Sequence, residues 1–185
     1  MARYLINQLD FERVLDAPRN LRDRLILRLF CMTGMRTMEL SKLKTCNVDI
    51  ANRTLTILDS KKHIEYSLPI DSTTALMLKE YIAHKDLNVT SEYLFPSRRL
   101  CGYMCKETYI HLVKWYAAKL NLPQWIKWSP RMFRRYFARN WIRKNGSLTG
   151  LQDILRHSSI ASTAVYIEGL RFEDENRTEY DRIVS

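Results

Sequence analysis

Apolar residues along the chain recur first at a helical period, then at a strand period, then at a helical period again. Residues 10–17 read as a short helix stopped by Pro18. Leu21, Leu25, Ile26, Leu29 and Met32 keep helical spacing, which predicts a longer helix over 21–33 ended by Gly34. A further turn or two of helix is predicted over 38–43, with Thr37 as its cap. The period then changes. Segments 47–50, 54–58 and 64–70 alternate and are rich in β-branched residues, so they predict a small antiparallel sheet. Polar residues 59–63 join its last two strands. Helices resume at 71–83 and 106–120. Ser129-Pro130 marks another start, a capping hydroxyl followed by proline at the first helical position. That helix is predicted to run to about 144 and to end at Asn145-Gly146. Phe133, Tyr136, Phe137 and Trp141 share one of its faces and are expected in the core. Short helices follow at 151–156 and 161–168. The predicted class is α+β, mainly α-helical, with one three-stranded antiparallel sheet and no internal repeat.

Composition adds a partner. At 185 residues and 46% hydrophobic content, the chain fits one folded domain with a real core. Its net charge of +10 is concentrated. Residues 98–144 hold twelve Lys/Arg against Glu107 alone, interleaved with Tyr109, Trp115, Tyr116, Trp125 and Trp128. A basic block with aromatics points to a polyanion, most often nucleic acid, rather than to a merely solvated surface. The tail from 168 to 185 is acidic. Cys31, Cys46, Cys101 and Cys105 have neither disulfide-framework nor zinc-ligand spacing, so buried free thiols in a reducing cytosol are expected. No apolar run is long enough to cross a bilayer. The expectation is a cytoplasmic protein, nucleoid-associated when bound to DNA, with no cofactor, metal or small-molecule substrate.

The last third carries the chemistry. Arg131, Arg134 and Arg135 stand at i, i+3 and i+4 in the first turns of the helix after Ser129, where their charge opposes the helix dipole. A bound anion reverses that penalty, since helix N-termini and guanidinium groups both suit phosphate. Downstream lie His157 and Tyr166. A tyrosine hydroxyl is a weak nucleophile, yet it can attack a phosphodiester whose charge is neutralised around it. Taken one at a time, these residues read as well as surface cations, a packed histidine and a core tyrosine.

Their joint order resembles the tyrosine recombinase (phage integrase and Xer-like) catalytic domain. The family's first arginine box, Thr-Gly-x-Arg-x-x-Glu-Leu, matches Thr33-Gly34-Met35-Arg36-Thr37-Met38-Glu39-Leu40, and its lead-in matches Ala17-Pro18 and Leu21-Arg22-Asp23. The β-hairpin lysine falls on Lys61, with Lys62 as the alternative. The second box, Ser-Pro-His-x-Leu-Arg-His, matches Ser129-Pro130-Arg131-Met132-Phe133-Arg134-Arg135. Leu155-Arg156-His157-Ser158-Ser159 matches the Leu-Gly-His-Ser-Ser box, and Ser162-Thr163-Ala164-Val165-Tyr166 the nucleophile box. The resemblance covers about residues 10–170. Three positions depart from it: arginine stands for histidine at 131 and at 135, and Arg156 stands for glycine. Arginine cannot take up a proton near neutral pH, so Arg131 is expected to bind phosphate, and the base becomes water, His157 or another group.

The resemblance implies a site-specific recombinase or integrase domain that cleaves and rejoins DNA through a 3′-phosphotyrosyl link, without ATP or metal. It gives Tyr166 the nucleophile's role, Arg36 and Arg134 a bidentate phosphate clamp, Lys61 the protonation of the leaving 5′-oxygen, and His157 a hydrogen bond donated to the phosphate. Glu39 orients Arg36. Lys42, Lys44, Lys62, Arg98, Arg99, Arg135, Arg139, Arg143 and Arg156 are candidates for neighbouring DNA phosphates. It also implies one catalytic domain over 1–185 without the family's N-terminal DNA-clamping domain, a tail at 171–185 able to pack on a neighbour, and a homo-oligomer, a tetramer, on double-stranded DNA. Two other readings share the fold: a DNA-binding regulator with weakened activity, and a type IB topoisomerase-like strand relaxer.

Overall fold

The computed structural model describes residues 5–6, 8–59, 64–85, 91–97, 102–123, 126–168 and 171–172; at 5, 6, 8, 59, 145, 165–168 and 171–172 it describes backbone alone. Strand β1 (Leu5–Ile6) leads into α1 (Gln8–Asp16) and α2 (Leu21–Thr33). Asn20 caps α2, its side chain accepting from Asp23 N at 2.8 Å. Gly34 ends α2 in the left-handed region, φ 60°, and its amide donates to Phe30 O. A Cβ at Gly34 would also stand 2.5 Å from the Phe137 ring, so glycine is required here by both conformation and space.

Helix α3 (Thr37–Ser41) begins one residue earlier than the pattern implied. Its N-cap is Arg36, not Thr37, because Glu39 reaches back to accept from Arg36 N at 2.6 Å. A 3₁₀ turn at Thr45–Asn47 takes the first residue of the expected 47–50 strand, and β2 (Val48–Asp49) is left two residues long. Strands β3 (Thr54–Asp59) and β4 (Ile64–Pro69) complete an antiparallel sheet in the order β2-β3-β4, with Leu55 opposite Leu68 and Ile57 opposite Tyr66. The alternation places Leu55, Ile57 and Leu68 inside.

The remaining helices are α4 (Ser72–Ala83), α5 (Lys106–Lys119), α6 (Pro130–Asn145), α7 (Leu148–Leu155) and α8 (Ile160–Glu168). Asp71 caps α4 and also binds Arg28 of α2 at 2.6 Å, fastening the two helices. Ser129 precedes Pro130 as expected, but its side chain makes no capping bond; its extended backbone alone sets up the helix start. Helix α7 starts three residues before the predicted bound, because Ser147 accepts from Gly150 N at 3.0 Å and caps it. After α8, β5 (Arg171–Phe172) pairs in parallel with β1, a contact the sequence pattern did not announce.

Helices α2 and α6 cross at the centre, and Phe11, Leu25, Phe30, Tyr109 and Phe133 are wholly buried around them. Phe11 stacks on Tyr136 at 4.2 Å and tilts against Phe133 at 4.7 Å, which seats α1 on α6. Phe137 is buried and Trp141 partly so, as the face of α6 implied. The thiol expectation holds for Cys31, which is buried, but Cys46 is exposed and Cys105 intermediate; Cys101 lies outside the described residues. No helix among the described residues is long and apolar enough to cross a membrane.

Candidate active site

The site forms where three chain segments end against one another. The stop of α2 at Gly34 delivers Arg36, the first turns of α6 deliver Arg131 and Arg134, and the end of α7 delivers Arg156 and His157. Arg134 is 5% exposed. It donates to Gly34 O, to Leu155 O at 2.6 Å and towards His157 Nε2 at 3.3 Å. Arg36 donates to Glu39 at 2.7 Å, to Arg156 O at 2.9 Å and to Leu155 O at 3.3 Å. One carbonyl, that of Leu155, therefore accepts from both guanidinium groups and holds two like charges side by side. Such an arrangement favours an anion in front of them.

Glu39 neutralises part of this charge from behind. It accepts from the Arg36 guanidinium and amide, and it also accepts from Arg156 Nη2 at 2.6 Å and Nε at 3.2 Å. Burial opposes ionisation of Glu39, but Arg156, the Arg36 amide and the Arg36 guanidinium outweigh it and hold the carboxyl below its ordinary pKa. Arg156 corrects an expectation. Its side chain is 0% exposed, paired with Glu39, bonded to Ile154 O at 2.7 Å and set over the Tyr66 ring, so it does not reach a DNA backbone. It adopts the left-handed conformation, φ 55°, that the family's glycine would take freely.

His157 is half-buried. Burial first, then Arg134, Arg36 and Arg156, push its pKa down to about 4, so the imidazole is neutral at pH 7. Its Nε2 faces Arg134, an obligate donor, and accepts in this arrangement; the donation to phosphate expected of His157 requires a proton on Nε2 instead.

A cavity of about 310 Å³ opens in front of these groups, lined by Met35, Arg36, Thr37, Lys106, Pro130, Arg131, Arg134 and His157. No carboxylate is among these lining residues. Lys106, first residue of α5 and exposed, was not foreseen as a site residue; its only sequence signal is a lysine opening a helix inside the basic block. A larger cavity of about 540 Å³, lined by Cys31, Met32, Tyr136, Phe137 and Trp141 among others, contains none of the expected site residues, whereas the smaller one gathers Arg36, Arg131, Arg134 and His157.

Tyr166 stands on α8, whose backbone is tied to the cavity by Thr163 and His157; the Tyr166 side chain lies outside the description. Lys61, Lys62, Arg98 and Arg99 lie outside the described residues. Among the remaining DNA candidates, Lys42 and Arg143 are exposed, Arg135 and Arg139 are half-buried on α6 itself, and Lys44 is bound to Glu92 at 2.8 Å. No metal-ligating cluster occurs among the described residues.

Fold and site together define a tyrosine recombinase catalytic domain. The chain belongs to the phage integrase family, whose sequence model matches residues 5–171. It is 30% identical over 166 residues to the tyrosine recombinase XerD of Haemophilus ducreyi, covering 88% of this chain and 54% of that protein. It is 29% identical to the tyrosine recombinase XerC of Xanthomonas campestris, over 82% of this chain and 45% of the relative. The chain thus spans about half the length of the curated relatives it matches. In fold it is similar to the crystal structure of XerA recombinase, with a TM-score of 0.82 at 21% identity over 99% of this chain and 64% of the other. It is likewise similar to XerH recombinase bound to its difH substrate after cleavage, with a TM-score of 0.76 at 21% identity over 91% of this chain and 50% of the other.

Proposed function

We propose that the chain cleaves and rejoins double-stranded DNA as the catalytic domain of a site-specific recombinase, through a 3′-phosphotyrosyl link to Tyr166. The observation that carries this reading is the Leu155 carbonyl shared by Arg36 and Arg134, with His157 and Arg131 on the same cavity. A scissile phosphate bound there has its charge neutralised by Arg36 and Arg134, with Arg131 and Lys106 adding cationic partners. Tyr166 attacks phosphorus, and the 5′-oxygen leaves with a proton from Lys61. A 5′-hydroxyl of a partner strand reverses the step, so the bond energy is kept and no nucleotide is consumed. Strand exchange takes a tetramer on DNA, and the protein works in the cytoplasm on DNA. The basic block at 98–144 and the relatives named as recombinases support the partner.

A suicide DNA substrate, nicked so that the cleaved end diffuses away, tests the reading. The wild type is expected to leave a protein–DNA adduct on a denaturing gel. Tyr166→Phe is expected to bind the same DNA and leave none. An adduct retained by that variant removes Tyr166 from its role. Binding without any wild-type adduct favours the regulator, and plasmid relaxation without recombinants favours the topoisomerase-like reading.

A further inference from the structure

His157 is held at both ends. Its Nε2 lies 3.3 Å from Arg134 Nη2, and its Nδ1 lies 3.0 Å from Thr163 Oγ1. The Thr163 hydroxyl donates to Ser159 O at 3.4 Å. A guanidinium only donates, so Nε2 accepts; a neutral imidazole then carries its proton on Nδ1, and Thr163 receives it. Each link from Arg134 to His157, from His157 to Thr163 and from Thr163 to Ser159 thus runs from a donor to an acceptor. The main chain of His157 is fixed as well, its amide donating to Gln152 O at 3.0 Å and its carbonyl accepting from Gln152 Nε2 at 3.3 Å. Thr163 is wholly buried, and it sits on α8 three residues before Tyr166.

The other described groups lining the cavity are cationic, apolar or, at Thr37, a hydroxyl. Guanidinium and ammonium groups have no lone pair for a proton. His157 Nε2 is therefore the one nitrogen base among the described lining residues. Arginine at 131, where the family carries histidine, leaves that duty vacant.

We propose that Thr163 is a positioning residue whose hydroxyl holds His157 as the Nδ1–H tautomer, so that Nε2 is the proton acceptor in strand cleavage. The inference rests on Tyr166 being the nucleophile. As the bound phosphate takes over the Arg134 Nη2 hydrogen bond, the Nε2 lone pair is released; the Tyr166 O–H bond then breaks and its proton passes to Nε2. The phenolic oxygen forms the bond to phosphorus, and the bond from phosphorus to the 5′-oxygen breaks. The departing oxygen keeps that electron pair and takes a proton from Lys61. The imidazolium keeps Nδ1–H on Thr163 and returns the Nε2 proton to the tyrosine when the strand is resealed. Arg134 faces the ring from α6, Arg36 from the turn after α2 and Arg156 from the preceding residue; Arg131 and Lys106 line the same cavity, and Glu39 lies behind Arg36 and Arg156. A phosphodiester among these cations offsets their field and raises the proton affinity of the ring at the moment the base is needed.

The test pairs ¹⁵N NMR of His157 with single-turnover cleavage of the suicide substrate across pH. In the wild type, Nδ1 is expected to be the protonated nitrogen. Thr163→Val keeps the shape and removes the hydroxyl; it is expected to slow cleavage by roughly 10-fold or more at unchanged DNA affinity and to move the acidic limb of the rate profile. Thr163→Ser is expected to restore most of the rate and the wild-type limb. A wild-type ring protonated on Nε2 overturns the proposal, even if the valine variant does not fold. So does a valine variant with wild-type rate and limb, or equal slowing by valine and serine, which marks a packing role. A correct tautomer in a wild type that makes no adduct overturns Tyr166 as nucleophile, and with it the base role, while leaving the Thr163 contact standing.

Discussion

At the scale of single residues, the site is a balance of five cations against one carboxylate. Arg36 and Arg156 pair with Glu39, and Arg36, Arg131, Arg134 and Lys106 line one cavity with a neutral His157. The ionisation of His157 has a stability consequence. Its pKa falls from an ordinary 6.5 to about 4 in the fold, so the unfolded chain binds a proton first as pH drops. The contribution is complete above pH 6.5 and is lost as pH falls towards 4. Melting temperature measured from pH 7 to pH 4 should therefore decline more steeply for the wild type than for His157→Gln; parallel curves contradict the neutral, buried imidazole. Arg36, Arg134 and His157 were legible because their spacing is held in short boxes. Arg156 was not, because its burial depends on Glu39, 117 positions away, and a one-dimensional pattern does not say which cation meets which carboxylate.

At the scale of elements, the ends of helices decide where the chemistry stands. Gly34 stops α2 and passes the chain to Arg36, while its own carbonyl receives Arg134. Gly34→Ala introduces a Cβ at φ 60° and against the Phe137 ring. It should destabilise the protein by about 1–3 kcal/mol in chemical unfolding, and cleavage should fall further than stability because both arginines are displaced. Near-native cleavage in that variant contradicts the claim that this turn sets the clamp. Helix and strand interiors were readable from periodicity. Their bounds were less so: Arg36 displaced Thr37 as a cap because Glu39 closes a capping box, and Ser147 extended α7. The β1–β5 pairing was invisible, since two-residue strands carry no period and their parallel contact joins the two ends of the matched region.

At the scale of the molecule, charge selects the partner and the fold aims it. The basic block was plain in the sequence, but which of its members face the cavity was not; Lys106 emerged only when the start of α5 came beside α6. Lys106→Ala should weaken DNA binding and lower the slope of log affinity against log salt by about 1, the signature of one lost phosphate contact. An unchanged slope places Lys106 off the DNA. Covalent chemistry remains the sharpest check. The suicide-substrate adduct, digested with protease and sequenced by mass spectrometry, should carry the 3′-phosphate of the DNA on the peptide containing Tyr166, with a free 5′-hydroxyl on the other fragment. A phosphate found on any other residue, or DNA held in the arginine cavity and never joined to protein, contradicts the assignment.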